Sequence, residues 1–383
     1  MKAHPTAEPQ VPLSELAELP LDLEDTQLDT PAVLIDLDVV EANIAGMQAF
    51  ADEQGFVLRP HVKSHKSLAI ADRQLTAGAR GVCVATGSEA AVMAASAAED
   101  VLVAYPLIGP RKLERLDALA GDRRLTLVTD SLEITEEYRR YAKSLGVNIR
   151  VLVDVDTGMH RVGADPDEVL TVALDVARAD GLEFLGIMTH AGHAHDVATR
   201  AEIEQVARGE AAVMGAVREQ LEAHGLDVPV VSAGSTITSP YLRRSDGITE
   251  IRPGTYVYND LRTLGRFACT VDDIAASMLS TVVSMNGSRV TLDAGSKSLT
   301  TSRDVEFGHG YPVEYPLARF ARMSEEHGVL ELPAAEGNVS VGDRVRILPI
   351  HVCVWMDLQP EIYGVRAGRV VERIAVEGMR HSL

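Results

Sequence analysis

IRVLVDVDTGMHRVGADPDEVLTVALDVARADGLEFLGIMTH, residues 149–190, holds one full repeat of the pattern that decides the fold. It opens on an apolar, β-branched run, Ile149–Val155, and passes through a polar loop. It continues through a helix-length stretch, Asp167–Ala179, and closes on a second apolar run, Phe184–His190. A strand, a helix and a strand in this order form a parallel crossover unit.

The same alternation extends to both sides. Apolar runs recur at Val57–Lys63, Gly81–Ala85, Val101–Pro106, Leu125–Thr129, Val228–Ala233 and Glu250–Val257. Helix-length segments lie between most of them, among them Ser88–Ala98, Leu132–Leu145 and Arg200–Ala223. Eight such strands predict a (β/α)8 TIM-type barrel within residues 31–265. A doubly wound open sheet is the alternative, but no G-x-G-x-x-G follows the first strand. Upstream, Pro31–Leu37 reads as a strand able to pack with the C-terminal domain, followed by a helix with Asp38 as N-cap. Residues 1–30 read as an arm. Beyond the barrel, residues 266–383 change texture. Strand-like runs at Leu279–Met285, Arg289–Leu292, Arg344–Leu348, His351–Met356 and Gly368–Ile374 predict an all-β domain, with Asn286-Gly287 as a hairpin turn.

The net charge of −20, from 36 basic and 56 acidic residues, disfavours a nucleic-acid partner. No apolar run reaches the roughly 18 residues of a membrane span. Cys83, Cys269 and Cys353 are three and far apart, which suits a reducing cytoplasm better than a disulfide framework. Cys83 and Cys269 read as core residues.

Chemistry in such a barrel gathers at the C-terminal ends of the strands. Lys63, within Arg59-Pro60-His61-Val62-Lys63-Ser64-His65-Lys66, is placed there as an amine able to form a Schiff base with an aldehyde. A solvated basic patch is the plainer reading. Gly234-Ser235-Thr236 after the seventh strand and Gly254-Thr255 in the eighth fall where barrels bind phosphate; alone, the former is an ordinary turn. An aldehyde carrying a phosphate, pyridoxal phosphate, would satisfy both signals. Arg161, in the loop DTGMHRVG, would reach the barrel mouth and hydrogen-bond that cofactor. After the sixth strand come His190, His193 and His195: one imidazole could stack on a ring, a second could be a general base, and three together could hold a metal. His351 and Cys353, two apart on an expected strand, would present nitrogen and sulfur to one face, a donor pair suited to zinc; a half-buried alternating strand with Cys353 as a small apolar residue is the plainer reading.

Taken together, RPHVKSHK (59–66), DTGMHRVG (156–163), GST (234–236) and IRPGTYVYND (251–260) resemble the pyridoxal-phosphate enzymes of the alanine-racemase fold. DAGSKSL (293–299), SEEHG (324–328) and HVC (351–353) narrow the resemblance to the D-threonine aldolase and D-serine dehydratase branch. It covers roughly residues 30–375. It implies a homodimer and a Schiff base at Lys63, with His61, Arg161, His190 and Arg252 beside the cofactor. It also implies phosphate contacts from Gly234, Ser235, Thr236, Gly254 and Thr255. His351 and Cys353 become ligands of a divalent metal, zinc before manganese. Aldolases of this branch often carry aspartate where Cys353 stands, and dehydratases carry cysteine. Arg252 stands where the branch often has a neutral residue and simple racemases have arginine.

The implied activity is a metal-dependent lyase acting on a D-3-hydroxy amino acid. Aldol cleavage to glycine and an aldehyde comes first, with His193 as the base. Elimination to a 2-keto acid and ammonia, with Lys63 as the base, is the alternative. An amino-acid racemase, which needs no metal, and a non-catalytic cofactor carrier complete the set.

Overall fold

The computed structural model describes residues 28–122, 124–305, 307–334 and 339–381. Nearly all of the expected arm, residues 1–30, lies outside them.

Eight parallel strands form the first sheet: β2 (Val57–Leu58), β3 (Val82–Val84), β4 (Val101–Val103), β5 (Leu125–Thr129), β6 (Ile149–Asp154), β7 (Leu182–Met188), β8 (Val230–Ala233) and β9 (Glu250–Ile251), preceded in the chain by β1 (Ala32–Asp36). Their order, β2-β9-β8-β7-β6-β5-β4-β3, brings the two ends together. A parallel bridge between His61 and Cys83, with Cys83 N–H donating to Pro60 O at 2.8 Å, closes the ring. The barrel is therefore the expected one. Every residue of β3, β4 and β5 is buried, as strands covered on both faces require.

Alternate residues fill the lumen in layers. Cys83, Leu102, Val128, Leu152 and Met188 make one apolar layer. Two residues earlier along the strands lies an ionic layer, in which Arg59 pairs with Asp100 at 2.7 Å and with Glu250 at 2.9 Å, and Arg150 pairs with Asp100 at 2.8 Å. Two residues later come Ala104, Asp154 and His190. The period of two thus aims these positions at the barrel mouth.

The second sheet contains β10 (Ala276–Asn286), β11 (Arg289–Leu292), β12 (Gly310–Pro312), β13 (Arg319–Met323), β14 (Gly328–Glu331), β15 (Arg344–Pro349), β16 (Glu361–Arg366) and β17 (Arg369–Ala375). Its main path is β13-β14-β11-β10-β1-β16-β17, with β15 joining β10 to β12. β1 lies inside this path, antiparallel to β10 and parallel to β16.

Three local expectations are corrected. Asp36, not Asp38, caps the helix Leu37–Gln54, accepting from Asp38 N at 3.0 Å and Val39 N at 3.2 Å. The strands expected at Val57–Lys63 and Glu250–Val257 stop at Leu58 and Ile251. Pro60 and Pro253 follow closely, and both chains then wind into 3-10 turns, Val62–Ser64 and Thr255–Val257. His351–Met356 is not a strand. His351 is an N-cap and Val352–Met356 a short helix that buries Val352, Trp355 and Met356. An apolar run of that length fits either element, and packing decides it.

Candidate active site at the barrel mouth

The turn Val62–Ser64 is tied down on two sides. His61 N–H donates to Pro253 O at 2.9 Å, and Pro60 O accepts from strand β3. Lys63 is half-buried in this turn and lines a cavity of about 230 Å³. Lys66, three residues on, is otherwise engaged: its ammonium pairs with Glu89 at 2.8 Å and Asp357 at 2.6 Å.

Arg161, Arg252 and Arg262 also line the cavity. Arg252 is nearly fully buried and is fixed by Ser232 Oγ and the Thr189 carbonyl. Burial and then the charge of Lys63 hold His61 and His190 well below the ordinary imidazole value, so both are neutral donors and acceptors there.

A cradle borders the turn that carries Lys63. Gly234 has φ +79°, and a Cβ there would stand 2.6 Å from Ser239 Oγ. A Cβ at Gly254 would stand 2.9 Å from Ser64 Oγ and 3.0 Å from His61 O. Thr236 Oγ1 accepts from Gly254 N at 3.2 Å and Tyr256 N at 3.1 Å, joining the two loops. Buried Glu210 accepts from Gly234 N at 3.1 Å. An amine, a ring of cations and a glycine-floored cradle fit pyridoxal phosphate, which brings an aldehyde and a dianion.

The second domain supplies the opposite wall. Cys353 Sγ is hydrogen-bonded to Ser64 Oγ at 3.3 Å, one residue from Lys63. His351 Nδ1 donates to Asp260 Oδ2 at 3.1 Å, and the same oxygen accepts from Val352 N at 3.0 Å. Burial opposes charge on His351, but Cys353 and Asp260 hold its imidazolium up to about 10. Burial likewise opposes the Cys353 thiolate, and His351 then Lys63 pull its thiol below the ordinary value. A thiolate beside a histidine oriented by a carboxylate becomes a donor set that fits a divalent metal once the ion displaces the ring's outer proton. Among the described residues, no group of three or more His, Cys, Asp or Glu gathers as a metal site, so protein donors beyond this pair are not found there.

Every residue singled out from sequence lines this cavity except His193. The His193 ring is turned to the Gly158 loop, where a Cβ would meet its Cε1 at 3.5 Å. His195 lines the cavity instead, because the 3-10 turn Gly192–His195 sends successive side chains in different directions. Asp260, Arg262 and Asp154 were not read from sequence. The Asp260–His351 bond spans 91 positions, and no local pattern announces it.

The model of the "Alanine racemase, N-terminal domain" family matches residues 35–262, and that of the "Putative serine dehydratase domain" family matches 275–365. The D-threo-3-hydroxyaspartate dehydratase of Delftia sp. (strain HT23) is 35% identical over 86% of this chain and 93% of its own length. The D-threonine aldolase of Arthrobacter sp. is 32% identical over 91% of this chain and 92% of its own. The crystal structure of D-threonine aldolase from Filomicrobium marinum superposes with a TM-score of 0.85 at 30% identity, covering 93% of this chain and 97% of that one. Among the described residues no helix is long and apolar enough to cross a membrane.

Proposed function

From the chain's membership of the D-threonine aldolase and D-serine dehydratase branch of the alanine-racemase-fold pyridoxal-phosphate enzymes, we propose that it is a metal-requiring lyase that cleaves the Cα–Cβ bond of a D-3-hydroxy amino acid. One observation carries the reading: a single cavity joins Lys63 of the barrel to His351 and Cys353 of the second domain.

Lys63 is the amine that would hold the cofactor's aldehyde carbon, because Lys66 is committed to Glu89 and Asp357. The loops at Gly234–Thr236 and Gly254–Thr255 would take the phosphate, with His61, Arg161, His190 and Arg252 around the ring. When bound, pyridoxal phosphate supplies an electron sink for the carbanion left by bond cleavage. A zinc or manganese ion on His351 and Cys353 would supply Lewis acidity toward the substrate's 3-hydroxyl. Asp260 keeps His351 in one ring orientation, and Ser64 does the same for the Cys353 sulfur. His195 takes over the role expected of His193. Burial, then Arg262 and His351, lowers it to about 4, so it reaches the substrate unprotonated near neutral pH and can accept the hydroxyl proton.

Elimination is the second reading, favoured by Cys353: sulfur stands where aldolases of this branch often carry a carboxylate, and Lys63 alone suffices to move the α-proton. Product analysis with D-threonine, D-threo-3-hydroxyaspartate and D-serine separates the two. Glycine plus an aldehyde marks cleavage, and a keto acid plus ammonia marks elimination. Formation of the L-enantiomer alone overturns the lyase reading. A cytoplasmic homodimer accompanies the proposal, and light scattering on the eluted protein measures the subunit number.

A further inference from the structure

Arg262 stands apart from the other cations of the cavity. It lies in the first turn of a short helix, Leu261–Leu264, whose N-cap is the fully buried Asp260. One oxygen of Asp260 accepts from Thr263 N at 2.7 Å, and the other holds His351 Nδ1 and Val352 N. The Arg262 N–H donates to Ile350 O at 3.2 Å. The backbone at Arg262 is therefore tied, through one carboxylate and one strand end, to the segment that carries His351 and Cys353.

Its guanidinium is exposed, and among the described residues it has no hydrogen-bond or ion-pair partner. Arg266, one turn on, is bound to the His195 carbonyl at 3.1 and 2.9 Å. Arg262 lines the main cavity and also an outer one of about 250 Å³. His195 is the other residue common to both spaces, while Asp196 and Asp304 line only the outer one. A permanent cation with open donors at the mouth of a site favours a planar anion on the ligand.

Position decides which anion. On the lyase reading, the 3-hydroxyl of the substrate goes to the His351–Cys353 pair. Arg262 lines the same cavity, and its helix is tied to that pair through Asp260, so it is the cation placed to meet the remaining substituent on the same carbon. A methyl group, as in D-threonine, would leave this arginine to water. A carboxylate would receive its fork.

We infer that Arg262 is a specificity-determining residue that receives a carboxylate carried on C3, so that the preferred substrates are D-3-hydroxy dicarboxylic amino acids of the 3-hydroxyaspartate type. This rests on the lyase reading.

The test uses the holoenzyme, loaded with pyridoxal phosphate and zinc, and kcat/KM on D-threo-3-hydroxyaspartate and D-threonine. The native protein should favour the dicarboxylic substrate. Arg262→Gln should lower the ratio of the two constants by about 10- to 100-fold, mainly through KM for the diacid, the range of a charge-assisted contact. Arg262→Lys should restore part of it. Equal losses on both substrates would assign Arg262 to the α-carboxylate and overturn the inference. A native preference for D-threonine overturns it too and leaves the lyase reading standing. Turnover of neither substrate removes both.

Discussion

Lys63 and Lys66 lie in one basic segment, and their surroundings give them opposite tasks. Lys66 has positive φ, and its ammonium is enclosed by Glu89 and Asp357. Lys63 faces a cavity. Borohydride reduction of the cofactor-loaded protein should therefore label Lys63 and leave Lys66 unmodified on peptide mapping. Lys63→Ala should lower turnover by several orders of magnitude without a large change in stability. Lys66→Met should do the reverse: it strands buried Glu89 without its cation, at a cost of about 3 kcal/mol in denaturant unfolding. The sequence placed a nucleophilic amine in this segment, but spacing alone does not tell a free lysine from a paired one, because the partners come from residues 89 and 357. Asp154 shows the same limit. It reads as the end of an apolar strand, yet burial, opposed by Arg252 and Arg161 and aided by Asp130, pushes it up to about 7. A carboxyl raised from its ordinary 3.8 binds its proton more tightly in the folded chain, so stability is lost as pH climbs between the two values. Cofactor-free Asp154→Asn should be more stable than the native protein by about 2–4 kcal/mol at pH 8, and the gap should shrink steadily toward pH 4. Urea curves at several pH values measure it; a gap that does not change with pH counts against a raised Asp154.

At the scale of elements, strands β3, β4 and β5 of the barrel were legible because burial on both faces leaves an apolar signature. The elements at the site were less so. Strands β2 and β9 carry only two residues each before Pro60 and Pro253-Gly254 bend the chain into the site. The expected strand at His351–Met356 is a helix because Trp355 and Met356 must both reach the same core, which alternation would forbid. His351 and Cys353 still converge, but through a cap and a helical turn, with Asp260 as the anchor. Asp260→Asn keeps a side chain that can cap Leu261–Leu264 yet removes the charge facing His351. Zinc affinity should fall about 10- to 100-fold, the usual loss when a carboxylate behind a histidine ligand is changed. Calorimetric titration of metal into the cofactor-loaded protein reads this directly, and unchanged affinity would free His351 from Asp260.

For the whole molecule, the division of labour between sheets is the governing feature. The barrel provides the lysine, the cations and the phosphate cradle; the second sheet provides nitrogen and sulfur. Strand β1 enters the middle of that second sheet before the chain starts the barrel, so the two bodies are interleaved rather than strung in sequence. They meet at the site through the Cys353–Ser64 hydrogen bond, one residue from Lys63, and through the bonds of Asp260 to His351 and Val352. Two groups held by different bodies can be removed separately. Exhaustive chelation should therefore abolish lyase turnover while the visible absorbance of the lysine-bound cofactor persists, and added zinc should restore activity. Cys353→Ala should mimic the chelated state. Cys353→Asp should move the metal preference from zinc toward manganese, since a hard carboxylate replaces a soft thiolate. Metal content, turnover and the absorbance spectrum, followed on one sample, give the result. Loss of the absorbance together with the metal would mean that His351 and Cys353 help to hold the cofactor. Full turnover by a metal-free sample would end the lyase reading and leave a racemase, which needs an acid and a base but no ion at this wall.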